Sequence, residues 1–190
     1  MAKEPLVIYW SPFTLPNGKE NAFATSEPIF GWNMLYTDPT NLFKELIQIR
    51  NPKSTTSSFY VCPGVANRLK NTFVFKNSLK TNITFDNTDE NNPKYNTDGM
   101  GVHVRRPSGF LNGMSIVISY KIVLFSEESV NAIVTPPYMH RPSYSDVMTI
   151  PPGYFDISKW FRPIAYEVQT FIPKGEFTLE VGDPLFYLEA

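Results

Sequence analysis

The chain has 190 residues, ample for one domain with a core of its own. With 42% apolar and 18% charged residues it is not a disordered polymer, and a formal net charge of −1 gives no general attraction to nucleic acid or anionic membranes. Fifteen Phe, ten Tyr, three Trp and seventeen Pro favour strands and turns over long helices.

The opening "MAKEPLVIYW" has too short an apolar run for a signal peptide, and no stretch approaches the ~18 apolar residues of a membrane span. A soluble protein, not exported by a signal peptide, is expected. "PLVIYW" reads as a strand stopped by Ser11-Pro12, Asn17-Gly18 as a hairpin-type turn, and "PIFGWNMLY" (residues 28–36) as a buried strand. In "TDPTNLFKELIQIRN", Asp38 can cap a helix, Pro39 fits its first turn, and Leu42, Phe43, Leu46 and Ile49 share one face. This is the one short amphipathic helix expected.

"SSFYVCPGVANRLKNTFVFKNSL" predicts a strand before Cys62-Pro63, a turn or short helical piece, and a strand through Phe73 to Phe75. Residues from about 85 to 99 are crowded with Asn, Asp and Thr and read as an exposed polar loop. "GVHVRRP", "MSIVISYKIVLFS" and "PIAYEVQTFIP" read as strands, and the proline-punctuated residues 136–153 as a tethered loop with short extended pieces. "EFTLEVGDPLFYLEA" predicts a closing hairpin reversed at Gly182-Asp183-Pro184. The expected core includes Trp32, Phe73, Phe75, Ile116, Ile118, Phe171, Phe177 and Leu179.

Chemistry is harder to find. A Gly-Asp before an apolar strand also opens the second metal motif of many cupins, but no histidine follows Asp183. The two histidines are His103 and His140. The position two residues after each, where a facial triad places its carboxylate, holds Arg105 or Pro142, so no metal is expected. Cys62, the lone cysteine, has no disulfide or zinc partner and suits a reducing compartment; the apolar run around it predicts a buried, inert thiol. The Asn82-Ile83-Thr84 sequon carries little weight in such a compartment. No nucleophile elbow, Walker loop or dinucleotide fingerprint is present. "DGMGVH" lacks a lysine and a following helix, and Glu127-Glu128 and Asp89-Glu90 fit a solvated surface. No catalytic residue and no cofactor are assigned.

Arg105 and Arg106 flank a strand, and Arg141 and Arg162 stand before prolines, which hold the preceding backbone extended. With His140 they are candidates for gripping a carboxylate or a neighbouring subunit, the alternative being salt bridges within the fold. "LFYL" in the last strand is apolar at consecutive positions, so both faces need cover. That cover comes from inside the domain or from another chain, which makes Phe186 and Tyr187 candidate partner contacts.

The second half, from "SGFLNGMSIVIS" through "PPGYFDISKWFRPIAYEVQTFIPKGEFTLEVGDPLFYLE", resembles a mainly-β, cupin- or jelly-roll-like protein family of tailed bacteriophages and their hosts. "YVCPGVANRLKNTFVFKNSL" resembles versions in T4-like phages of marine cyanobacteria. The resemblance implies a compact β domain of phage origin, placed in the infected host's cytoplasm or in the virion, and supplies no mechanism. The reading is a mainly β single domain over residues 1–190, a jelly-roll-like sandwich or distorted cupin-like barrel. Its expected role is non-enzymatic, through binding or assembly, as a homo-oligomer or with a phage or host protein. The alternative is a metal-free, degenerate cupin-like pocket for a small-molecule ligand. An iron and 2-oxoglutarate oxygenase relative comes third, because its ligand spacing is absent. A deep aromatic pocket would favour the ligand; a flat or edge-exposed apolar patch would favour assembly.

Overall fold

The computed structural model describes residues 7–13, 39–49, 62–77, 80–89, 91–98, 102–105, 113–159 and 164–190. They form a mainly β protein in which every paired strand is antiparallel. The first sheet contains β1 (Tyr9–Phe13), β7 (Ser115–Phe125), β11 (Ile164–Thr170) and β9 (Met148–Thr149) in that order, with β6 (Val102–Arg105) also on β7. The second runs β10 (Gly153–Asp156), β8 (Asn131–Thr135), β13 (Pro184–Glu189), β3 (Thr72–Lys76) and β2 (Thr40–Asn41). The third runs β12 (Lys174–Leu179), β4 (Thr81–Asp86) and β5 (Lys94–Thr97). Among the described residues no sheet closes into a barrel, so the barrel alternative is corrected.

All three sheets feed one core. Met114, Ile116, Leu124 and Val168 come from the first sheet or its margin, Phe75, Ala132, Val134, Phe186 and Leu188 from the second, and Ile83, Phe85, Phe177 and Leu179 from the third. In β4 the buried Thr81, Ile83 and Phe85 alternate with exposed Asn82 and Thr84, the period-2 signature of a sheet with one wet face. Of the expected core, Phe75, Ile116, Phe177 and Leu179 are buried and Phe73 is half-buried, whereas Phe171 is exposed in the turn after β11. Trp32 and the Ile118 side chain lie outside the described residues, as do residues 28–36 and the Asn17-Gly18 turn.

Several local expectations need correction. β1 continues through Ser11 and Pro12; Pro12 lies opposite Ile122 on an edge strand, where a missing N–H is tolerated. The amphipathic helix α1 spans Leu42–Ile49, later than Asp38 implied, because Thr40 and Asn41 pair with β3 and Asn41 provides the cap. Its Oδ1 accepts a hydrogen bond from the Lys44 N–H at 3.2 Å. A second helix, α2 (Pro63–Lys70), begins on the proline, and Cys62 at its cap position is exposed, not buried. The polar loop around residues 85–99 is interrupted by strand: Phe85 and Asp86 finish β4, and Lys94–Thr97 form β5 on its edge.

The final turn is not a simple hairpin. β12 pairs with β4 in the third sheet while β13 pairs with β3 and β8 in the second, so the chain changes sheets at Gly182, whose φ of 91° suits glycine. The β3-to-β4 connection makes the same crossing alongside. Buried Asn77 staples the two corners: its N–H donates to the Asp183 carbonyl (2.8 Å), its carbonyl accepts from the Gly182 N–H (2.7 Å), and its side-chain amide donates to the Glu180 carbonyl (2.9 Å).

β13 is therefore the centre of a sheet, with Phe186 and Tyr187 3% and 0% exposed. Phe186 and Leu188 face the main core, while Tyr187 faces a smaller one with Val74 and the helix residues Leu42, Leu46 and Leu69. Cover for both faces comes from the same chain, so the expectation that Phe186 and Tyr187 contact a partner is corrected.

Candidate functional site

Two features on the second sheet concentrate chemistry. The first is a polar array beneath the helices. Glu45 on α1 lies 2.7 Å from Lys76 Nζ on β3, accepts a hydrogen bond from the Thr40 hydroxyl at 2.8 Å, and stands 3.3 Å from His140 Nε2. That last contact is within ion-pairing distance but outside hydrogen-bonding geometry. The Met139 N–H donates to the Tyr187 hydroxyl at 3.2 Å, and that hydroxyl makes a short hydrogen bond with His140 Nδ1.

The electrostatics follow burial and pairing. Burial lowers the His140 pKa, against the opposing pull of Glu45. Burial works to raise the Glu45 carboxyl, but hydrogen bonds from Lys76 and Thr40 and the charges of Lys76 and His140 outweigh it, and its pKa is lowered. Burial pushes the Tyr187 hydroxyl well above its ordinary value, so it stays protonated. Beside this array Arg68 holds Glu189 with two 2.9 Å bonds and lies 5.1 Å over the Tyr138 ring, whose hydroxyl donates to Glu189 at 3.2 Å. A neutral tyrosine with no exposed surface is a poor nucleophile. The array fastens α1, α2 and the segment after β8 to the sheet.

The second feature is a cavity of about 600 Å³ between the first and second sheets. Trp10 and Leu124 are directly opposed on β1 and β7, and Phe73 and Leu188 on β3 and β13, so each sheet contributes one cross-strand pair to the walls. Phe75 lies deeper, stacked on Phe186 with ring centres 4.7 Å apart and edge-on to Trp10 at 5.7 Å. Lys70 and Asn71, at the end of α2, supply polar lining. Their position is fixed because the Asn41 side chain donates to the Lys70 carbonyl at 2.7 Å and Ala190 N–H to the Asn71 carbonyl at 3.2 Å. A groove of about 500 Å³ on the third sheet is a weaker candidate, since Lys174 on its wall already pairs with Asp86 at 2.8 Å.

The sequence-derived candidates separate. His140 and Tyr187 meet in the polar array, whereas Arg141 turns to Asp146 at 3.2 Å in an exposed salt bridge within the fold. Arg105 closes β6 opposite Ser115, its side chain outside the described residues; Arg106 and Arg162 also lie outside them. Among the described residues no three of His, Cys, Asp and Glu come together as metal ligands, and no helix is long and apolar enough to cross a membrane. Sequence reasoning assigned Phe73 and Phe75 to the core but missed their opening onto a cavity with Trp10. The alternation in "TFVFK" gives the shared face of those two phenylalanines; the facing strand is set by long-range pairing.

No protein-family model, curated protein or solved structure matches the chain.

Proposed function

We propose that this is a non-enzymatic binding protein that holds a small, largely apolar molecule between its first and second sheets. The observation that carries this reading is the aromatic cavity, whose 600 Å³ falls within the range of about 300–1,000 Å³ usual for small-ligand sites. The polar array argues against catalysis at that place, because its tyrosine is buried on the opposite face of β13 from Leu188. The two sheet-crossing corners also support a jelly-roll-like arrangement, since packed sheets make such corners where strands pass between them. The phage setting, in host cytoplasm or virion, rests on the resemblance of the second half.

Native mass spectrometry of the purified full chain, followed by titration with the neutral probe 2-naphthylmethanol, tests the reading. One bound molecule per chain is expected, lost in Val7→Trp, which fills the cavity from a half-exposed position. A wild type that takes no probe, or a Val7→Trp variant that binds equally well, overturns it. A second reading, assembly with another copy or with a phage or host protein, is favoured by the edge strand β10. There Tyr154, 67% exposed, lies opposite Ile133, 37% exposed. Light scattering of wild type and Tyr154→Glu tests it: a wild-type oligomer dissociated by the substitution supports assembly, and a monomeric wild type removes self-assembly.

A further inference from the structure

We infer that the cavity selects a flat aromatic carboxylate, with its ring between the two walls and its acid group on Lys70 and Asn71. The inference rests on the small-ligand reading above. Its first support is charge. Of the cations on α2 and β3, Arg68 is ion-paired with Glu189 and Lys76 with Glu45, whereas Lys70 has no carboxylate partner among the described residues. Its ammonium rests only over the Phe43 ring, 5.2 Å from the centre, a weak contact that an anion can displace. Lys70 carries the one charged side chain among the described cavity-lining residues, beside apolar walls. A ligand that excludes water there strengthens attraction to an anion.

The second support is hydrogen bonding. The Asn71 backbone is engaged, its N–H with the last turn of α2 and its carbonyl with Ala190, but its side-chain amide carries no hydrogen bond among the described residues. An amide and an ammonium side by side match the two oxygens of a carboxylate. The third support is the shape of the body. Trp10, Phe73 and Phe75 come from two facing strands, and rings favour offset and edge-on contact with other rings. A ring between the walls meets aromatic surface on both sides.

Isothermal titration of the full chain with 2-naphthoate, 2-naphthylmethanol, 2-naphthylmethylamine and decanoate separates these elements. The naphthoate is expected to bind about tenfold tighter than the alcohol, a margin of about 1.4 kcal/mol, and tighter than the amine and decanoate. Lys70→Gln, at an exposed position and with its folding checked by circular dichroism, is expected to bring naphthoate and alcohol within about twofold. Equal binding of naphthoate and alcohol by wild type, or an unchanged preference in Lys70→Gln, overturns the anion assignment and leaves the binding reading standing. Tighter decanoate binding overturns the aromatic body. Failure of all four probes, the neutral alcohol included, overturns the binding reading itself.

Discussion

Replacing Tyr187 by Phe removes a single oxygen from the centre of the second sheet and leaves the ring in place. The ring keeps its contacts with Leu42, Leu46, Leu69 and Val74 and its edge-on contact with Tyr138 at 4.9 Å. What is lost is the acceptor for the Met139 N–H and the hydrogen-bond partner of His140 Nδ1. Leaving a buried polar group without its partner costs about 1–3 kcal/mol. Met139 and His140 are only half-buried, so water can replace part of the loss, and a destabilisation of about 2 kcal/mol is expected. For a chain of this size that corresponds to a fall in Tm of about 4–8 °C. Urea unfolding followed by far-ultraviolet circular dichroism measures it, with exposed Tyr154→Phe as a control within about 0.5 kcal/mol of wild type. The double variant with His140→Ala is expected to be less destabilised than the sum of the single changes, because both remove the same bond. Tyr187→Phe as stable as the control, or strict additivity in the double variant, would refute the assignment of this hydroxyl as the fastening point.

Acidification is expected to weaken the fold in two stages. His140 has its pKa lowered from an ordinary 6.5, so below that pH the unfolded chain binds a proton that the folded chain refuses. Stability therefore falls with pH until the lower folded value is passed. Glu45, lowered from 4.5 by Lys76, Thr40 and His140 against the effect of burial, adds a second fall below that pH with the same sign. Melting temperatures across this range should show a flatter upper stage in His140→Gln; an unchanged slope would contradict the assignment. Gly113→Ala should destabilise by more than about 3 kcal/mol or block folding, because a Cβ there falls 1.8 Å from the Thr170 carbonyl oxygen; a wild-type melt would refute the close approach. Phe186→Asp should prevent folding by burying an unpaired carboxylate, and a folded monomer by circular dichroism and light scattering would refute the central placement of β13.

Strand chemistry was legible where periodicity is strong. The β-branched run of "MSIVISYKIVLF" yields β7 and the alternation of "TFVFK" yields β3. It failed where tertiary pairing overrides composition. β5 is made of Lys, Tyr, Asn and Thr, residues that read as loop, and it forms because β4 offers a free edge. Cys62 read as buried beside its apolar neighbours, but the proline after it starts a helix whose cap position faces solvent. The cavity was least legible, since its two walls belong to strands more than half the chain apart in sequence, Trp10 with Leu124 and Phe73 with Leu188.

The central place of β13 also dictates when the second sheet can be completed during synthesis. Until Pro184–Glu189 leave the ribosome, β8 and β3 have no strand between them, and the nascent chain carries two partial ribbons with open edges. Val134 and Phe75 on those ribbons await Leu188 and Phe186 opposite them. Pairing β3 with β13 then closes a loop of more than a hundred residues, a slow step set by chain entropy. A chain that lacks Pro184–Glu189 presents a pair of exposed strand edges, a substrate for chaperones and aggregation.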